Sequence, residues 1–444
     1  MNLAETVAAQ QPGVLADLAA LVAIESVSAD PGRADQVQRS ADEVVRLLTE
    51  VGCPDVRVVT AGGGAPAVIA RFPAPPGQPT VCLYAHHDVQ PEGDPAGWHT
   101  PPFTATPDGD RLFGRGATDD KGGFAVHLAA LRAFDGKPPV GVTLFVEGEE
   151  EIGSPTLSRL LAENADALAA DVFVIADSGN WAVGTPAFTT TLRGLADCVV
   201  TVSTLDHGVH SGMFGGVVPD ALTTLCRLLA TLHDDRGRVA VAGLGSAAAP
   251  DLDYPEDRLR AESGVLPGVE WIGDGSFVQR MWCEPAIAVI ALDATRVDAA
   301  SNTLIPSARA KLSVRVAPGD DAAAALERLK EHLSAHAPWG ARVDVVDGDV
   351  GEPASIPCTG RYAEAAQAAF ASAWGTDPVL IGQGGSIPMV AEFQQAFPAA
   401  TVLVTAVGDP DSRQHGANES LHLGDFGRAC LAEAQLLQAF AELG

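Results

Sequence analysis

The chain has 444 residues, beyond the size at which one hydrophobic core keeps growing, so two domains are expected. Hydrophobic side chains make up 47% of it, which excludes a disordered polypeptide. Acidic residues number 57 against 28 basic ones, and the formal charge of −29 repels nucleic acid and anionic lipid, so neither is an expected partner.

The opening stretch MNLAETVAAQQPGVLADLAALVAIESVSAD has no basic segment, and acids interrupt its apolar runs. Neither a signal peptide nor a membrane span is expected there. Residues 12–24 and 34–51 carry helical periodicity, with Leu15, Leu18 and Leu21 on one face. Short apolar runs follow at Ala67–Arg71, Thr80–Tyr84, Val142–Val146 and Val172–Ile175, which read as buried strands. An alanine- and leucine-rich helix, Gly122–Phe134, lies among them. Alternating strands and helices predict an α/β domain around a mostly parallel sheet.

The texture changes near Thr189. Strands at Ala196–Ser203, Ala286–Ala291, Ala308–Val316 and Arg342–Val346 alternate with helices at Asp220–Leu232 and Ala322–His336. Strand–helix–strand–strand–helix–strand predicts a small α+β insert of ferredoxin-like type. The first texture then returns with a helix at Tyr362–Ala373, a strand at Ala400–Val404 and a last helix at Phe426–Leu443. The expected layout is therefore one domain, residues 1–190 and 350–444, interrupted by a second, residues 191–349.

Chemistry-bearing residues collect where strands end, and in open α/β sheets the carboxyl ends of strands are where ligands bind. His86-His87-Asp88 follows Thr80–Tyr84; an imidazole there suits a metal, and Asp88 is placed to orient it. Asp119-Asp120, between glycines, opens the Gly122–Phe134 helix, where acids serve equally as caps or as ligands. Glu147-Gly148-Glu149-Glu150-Glu151 follows Val142–Val146; that density of carboxylates suits a solvated loop or a bound dication. Asp177-Ser178-Gly179 and Gln414-His415-Gly416 complete the set. The seven cysteines, from Cys53 to Cys430, include no CxxC pair, so free thiols in a reducing cytoplasm are expected and a thiolate metal site is not. Imidazole and carboxylate ligands suit zinc, manganese or cobalt, and five of them suit two metals better than one tetrahedral zinc.

These motifs, in order and spacing, resemble the metallopeptidase family of carnosine and cytosolic nonspecific dipeptidases, carboxypeptidase G, aminoacylase and succinyl-diaminopimelate desuccinylase. The resemblance runs over nearly the whole chain. It implies two divalent ions, Zn2+ first and Mn2+ or Co2+ next, with a hydroxide between them as nucleophile. His86 and Asp177 would hold one ion, Glu151 and His415 the other, and Asp119 would bridge them through a residue whose following peptide bond is cis in the family. Glu150 would be the general base and Asp88 would orient His86.

The same resemblance makes the insert a lid and dimerisation domain. His210, within His207-Gly208-Val209-His210-Ser211-Gly212, would stabilise the oxyanion in the site of a second copy. Asn302, Thr303 and Arg315 would hold substrate, and Gly385 and Ser386 would belong to the loop that reads its carboxylate. The forms Gly-Arg-Gly-Ala-Thr-Asp-Asp-Lys-Gly from Gly114 and Gly-Gly-Ser-Ile-Pro from Gly384 go with the dipeptidase branch. The expectation is a cytoplasmic homodimeric dipeptidase acting on small peptides, with deacylation or desuccinylation of acyl amino acids as the alternative and a silent metal-stabilised scaffold as the remote one.

Overall fold

The computed structural model describes residues 2–385 and 387–444. The chain divides into two compact units: Met1–Thr190 with Ile356–Ile381 and Pro388–Gly444, and Thr191–Ser355 with Gly382–Ile387.

The first unit is built on a sheet whose four central strands, Gly141–Glu147, Thr80–His86, Val172–Ile175 and Thr401–Val404, run parallel in that spatial order. Each is almost wholly buried, because helices cover both faces; this is why they read in sequence as unbroken apolar runs. Antiparallel strands extend the edge, Ala67–Phe72 against Gly141–Glu147 and then Asp55–Val59. The period of two assigns the faces. Leu83, Leu144 and Val174 join a core formed with the helices Leu3–Val22, Lys121–Ala133, Arg361–Trp374 and Leu423–Ala441. Tyr84, Phe145 and Phe173 meet Phe393 of the helix Pro388–Ala396 instead, with ring centroids 4.7 to 6.1 Å from it.

The first helix is longer than its periodicity suggests. It begins at Leu3 rather than near Pro12, capped by Asn2, whose side chain accepts from the Glu5 amide at 2.9 Å while Glu5 accepts from the Asn2 amide. Pro12 therefore lies inside it. Val7 is buried on the same stripe as Val14, Leu18 and Leu21, and that packing carries the helix through a residue that removes one hydrogen bond.

The second unit is a four-stranded antiparallel sheet in the spatial order Ala286–Asp293, Ser307–Val316, Gly194–Ser203, Arg342–Gly351. The helices Ala221–Ala230 and Ala322–Ala335 pack on one face around Leu225, Leu228, Leu312, Val314, Leu326 and Leu329. The strand order, with Ala221–Ala230 between the first two strands in sequence and Ala322–Ala335 between the last two, gives the ferredoxin-like arrangement.

Candidate metal centre

The parallel register places His86 beside Glu147 at the same sheet level, and Tyr84 beside Ile175, so the segments that follow these strands leave the sheet at one rim. There the unit gathers His86, Asp88, Asp119, Glu150, Glu151, Asp177 and His415. His86 Nδ1 is held by the Asp88 carbonyl at 3.0 Å and lies 3.3 Å from its carboxylate. That leaves Nε2 facing Asp119 at 3.1 Å, with Glu150 at 3.9 Å and Asp177 at 4.0 Å. His415 Nε2 approaches Asp119 at 3.0 Å and Glu151 at 3.2 Å. Asp119 thus lies between the two imidazoles, one on each carboxylate oxygen. Its peptide bond to Asp120 is cis.

Asp88 is fully buried and fixes two things at once. Besides meeting His86, its oxygens accept from the Glu150 and Glu151 amides at 3.2 and 3.1 Å and from the Ser28 hydroxyl at 2.6 Å. One carboxylate therefore sets both the imidazole and the Glu-Glu turn. Glu151 is oriented further by Gln90, whose amide nitrogen and side chain donate to it at 3.0 and 2.7 Å. His415 sits in the left-handed backbone region at φ 61°, a conformation that costs energy in a non-glycine residue.

The acid-rich motifs divide by neighbourhood. Glu147 accepts from the Tyr84 hydroxyl at 2.8 Å, and Glu149 accepts from the Ala65 and Thr156 amides at 2.9 and 2.8 Å; both are structural pins. Glu150 and Glu151 alone face the centre. Gly148, between Glu147 and Glu149, has no room for a side chain: a Cβ there would meet the Pro66 carbonyl oxygen at 2.3 Å. Of the aspartate pair, Asp120 turns away, accepting from the His86 and Gly123 amides at 3.2 Å each, and caps the helix Lys121–Ala133.

Electrostatics mark the centre as built for positive charge. Burial pushes the Asp177 carboxyl up to about 7, and Asp119 and Glu151 add to the push. Glu150 is raised too, by burial first and then, against His86, by Asp177, Glu151 and Asp119. Bonds to Asp119 and Glu151 raise His415 to about 10. Asp119 goes the other way: burial would raise it, but its bonds to His415 and His86 hold it below the ordinary carboxylate range. Buried like charges of this kind are relieved by a cation. The donors fit divalent metal ions. Two groups, His86 with Glu150 and Asp177, and His86 with Asp119 and Glu151, each bring ligand atoms within 4.8 Å of one another, and no cysteine is among them.

Glu419 is a residue whose part the motif left unassigned. It is fully buried, pairs with Arg115 at 2.6 Å, and accepts from the amides of Gly116, Thr118 and Asp119 at 3.0, 3.0 and 3.1 Å. Its place four residues after His415 was the only hint in the sequence.

The remaining expected residues lie in the second unit. His210 pairs with Thr303 in a short two-stranded ribbon, and the Ser211 amide donates to the Asn302 carbonyl at 2.9 Å, so these three form one exposed group. Arg315 is half-buried on Ser307–Val316, opposite Leu195 and Ala286. Gly385 is exposed, and Ser386 lies outside the described residues.

Comparison with known proteins gives the family. A model of peptidase family M20/M25/M40 matches residues 82–439. A Corynebacterium striatum protein named cysteinylglycine-S-conjugate dipeptidase is 34% identical over 97% of this chain and 96% of its own. The human beta-Ala-His dipeptidase is 28% identical over 87% of this chain and 81% of its own. Among solved structures, the Saccharomyces cerevisiae di-peptidase Dug1p aligns with a TM-score of 0.85 at 25% identity, covering 99% of this chain and 98% of that one. Human carnosine dipeptidase 1 aligns at 0.84 with the same identity and coverage. The chain belongs to peptidase family M20/M25/M40.

Proposed function

We propose that this chain is a dipeptidase that hydrolyses the amide bond of small peptides at a pair of divalent metal ions. The observation that carries the reading is the convergence of two imidazoles and four carboxylates on one rim of the sheet, with Asp119 between the rings. In it His86 and Asp177 would hold one ion and Glu151 and His415 the other, with Asp119 within reach of both. Ions held there would supply Lewis-acid polarisation of the scissile carbonyl and a more acidic water.

The chain's own groups do the rest. Glu150, partly buried and raised above the usual carboxylate range, takes the proton of the attacking water and returns it to the leaving amine. Asp88 keeps His86 Nδ1 occupied, so that Nε2 faces the centre. In the second unit, Arg315 and the Gly385–Ser386 loop read the free carboxylate of the substrate, with Asn302 and Thr303 alongside. His210 stabilises the developing oxyanion, supplied by a second copy in a homodimer formed through the lid. Support for these roles is the resemblance of their motifs and the grouping of His210, Asn302 and Thr303.

Zinc is the proposed metal, on the strength of its imidazole and carboxylate donors. The proposed compartment is the cytoplasm. Seven free thiols support it, and among the described residues no helix is long and apolar enough to cross a membrane. Deacylation of N-acyl amino acids is the second reading, since it needs the same centre and the same free carboxylate. Metal content per chain, measured beside turnover of a dipeptide panel and of acetylated and succinylated amino acids, separates the two. No hydrolysis of any dipeptide in the presence of Mn2+ or Zn2+ would overturn the first.

A further inference from the structure

A cavity of about 320 Å3 lies wholly within the second unit, lined largely by the segment that joins the helix Ala221–Ala230 to the strand Ala286–Asp293. None of the metal-centre side chains lines it. Its volume is that of a small organic ligand. Trp271, Phe277 and Met281 give it an apolar wall, with the two rings packed edge to face at 5.3 Å. Its charged lining runs against the composition of the chain. In a protein of net charge −29, three arginines, Arg193, Arg238 and Arg280, line this one space beside a single acid, Glu284.

The arginines differ in how they are balanced. Arg238 is neutralised by Asp234 at 2.8 Å. Arg280 lies over the Phe277 ring at 4.7 Å and donates to the Ile272 carbonyl, without a carboxylate within 4.0 Å among the described residues. Arg193 is the most exposed to imbalance. It is half-buried, and among the described residues its donors reach only the carbonyls of Gly384 and Glu284, each at 3.3 Å, with no carboxylate within 4.0 Å. Burial, and after it the neighbouring charge of Arg315, pulls its guanidinium down to about 10. A half-buried cation held by carbonyls alone is costly to keep unless an anion completes it.

We propose that this cavity binds a small amphipathic carboxylate, with its carboxylate on Arg193 and its apolar body against Trp271, Phe277 and Met281. The pairing is the one guanidinium geometry favours, and the aromatic wall selects an aryl or branched alkyl body over a bare inorganic anion. The site is distinct from the metal centre and needs no metal.

Calorimetric titration of the full-length protein with 3-phenylpropionate, and with the neutral 3-phenylpropanamide, tests this. The acid should bind one site per chain, equally in metal-loaded and chelator-treated protein, and the amide about tenfold more weakly or worse. Arg193→Met should lose the acid by a similar factor and Arg193→Lys should recover part of it, with melting temperatures reported for both. Equal binding of acid and amide would overturn the proposal, and that comparison needs no variant. So would undiminished binding to a folded Arg193→Met protein, or displacement of the probe by a saturating dipeptide, which would return the cavity to the substrate site.

Discussion

Glu419 holds Asp119 from behind: its carboxylate accepts the Asp119 amide at 3.1 Å, while the Asp119 carboxylate faces His86 at 3.1 Å and His415 at 3.0 Å. The amides of Gly116 and Thr118 end on the same buried carboxylate, so the whole turn carrying the central ligand hangs from one side chain. Glu419→Gln keeps the shape but trades an acceptor oxygen for a donor amide. The variant should bind metal about 10- to 100-fold more weakly, as loss of a ligand's supporting partner does. It should also melt earlier, because Arg115 loses its buried counter-charge. Metal titration followed by tryptophan fluorescence measures the first effect, and unchanged affinity would refute the supporting role.

Glu150 lies 3.9 Å from His86 and shares a potential ligand group with it and Asp177. A base and a ligand at this position make opposite predictions about metal content. Glu150→Gln should retain both ions and lose about 10²- to 10⁴-fold in kcat, the range for removal of a general base. Elemental analysis beside steady-state kinetics decides it. Loss of an ion would make Glu150 a ligand instead.

Chelation should reach stability as well as activity. The centre brings buried carboxylates together, and ions that bind only the folded state stabilise it by mass action, about 2.7 kcal/mol at a hundredfold excess over Kd. EDTA-treated protein should be inactive and melt several degrees lower, and Zn2+ or Mn2+ should restore both. Calorimetric scans with and without chelator provide the measurement.

Away from the centre, His127 and Glu433 form a buried pair at 2.8 Å, with the other ring nitrogen 2.9 Å from the Tyr84 carbonyl. Burial would lower the imidazole, but the Glu433 carboxylate outweighs it and the histidine is raised above its ordinary value. Folding therefore takes up a proton on His127. The stabilisation is complete below the unfolded histidine pKa of about 6.5 and fades as pH rises through the higher folded value. Glu433→Gln should cost about 1.5–3 kcal/mol at pH 6 and less at pH 9. Urea unfolding at the two pH values checks the sign, and a larger cost at pH 9 would reverse it.

Much of the site was legible because its residues stand where periodicity ends. Strands buried on both faces announce themselves as continuous apolar runs, and the residues just beyond Tyr84, Val146 and Ile175 had to fall on one rim once those strands ran parallel. The resemblance supplied the division of labour among them. Local pattern could not tell Glu149 from Glu150, or Asp120 from Asp119, because each choice is made by a distant partner. Thr156 and Ala65 claim Glu149, and the helix Lys121–Ala133 claims Asp120. Arg193 gave no signal at all, since its isolation is a property of what surrounds it.

Fold class, the strand-end positions of the ligands and the chemistry of the metals they suit were therefore legible in the linear chain, because periodicity and residue type are local quantities. Which carboxylates face the centre and which pin the loops was set by packing in three dimensions. It alone made Glu419 the support of Asp119 across 300 residues of chain, and it left Arg193 lining a cavity with no carboxylate within 4.0 Å of it among the described residues. Charge balance and hydrogen-bond satisfaction are settled by neighbours in space, and neighbours in space are what a linear pattern does not contain.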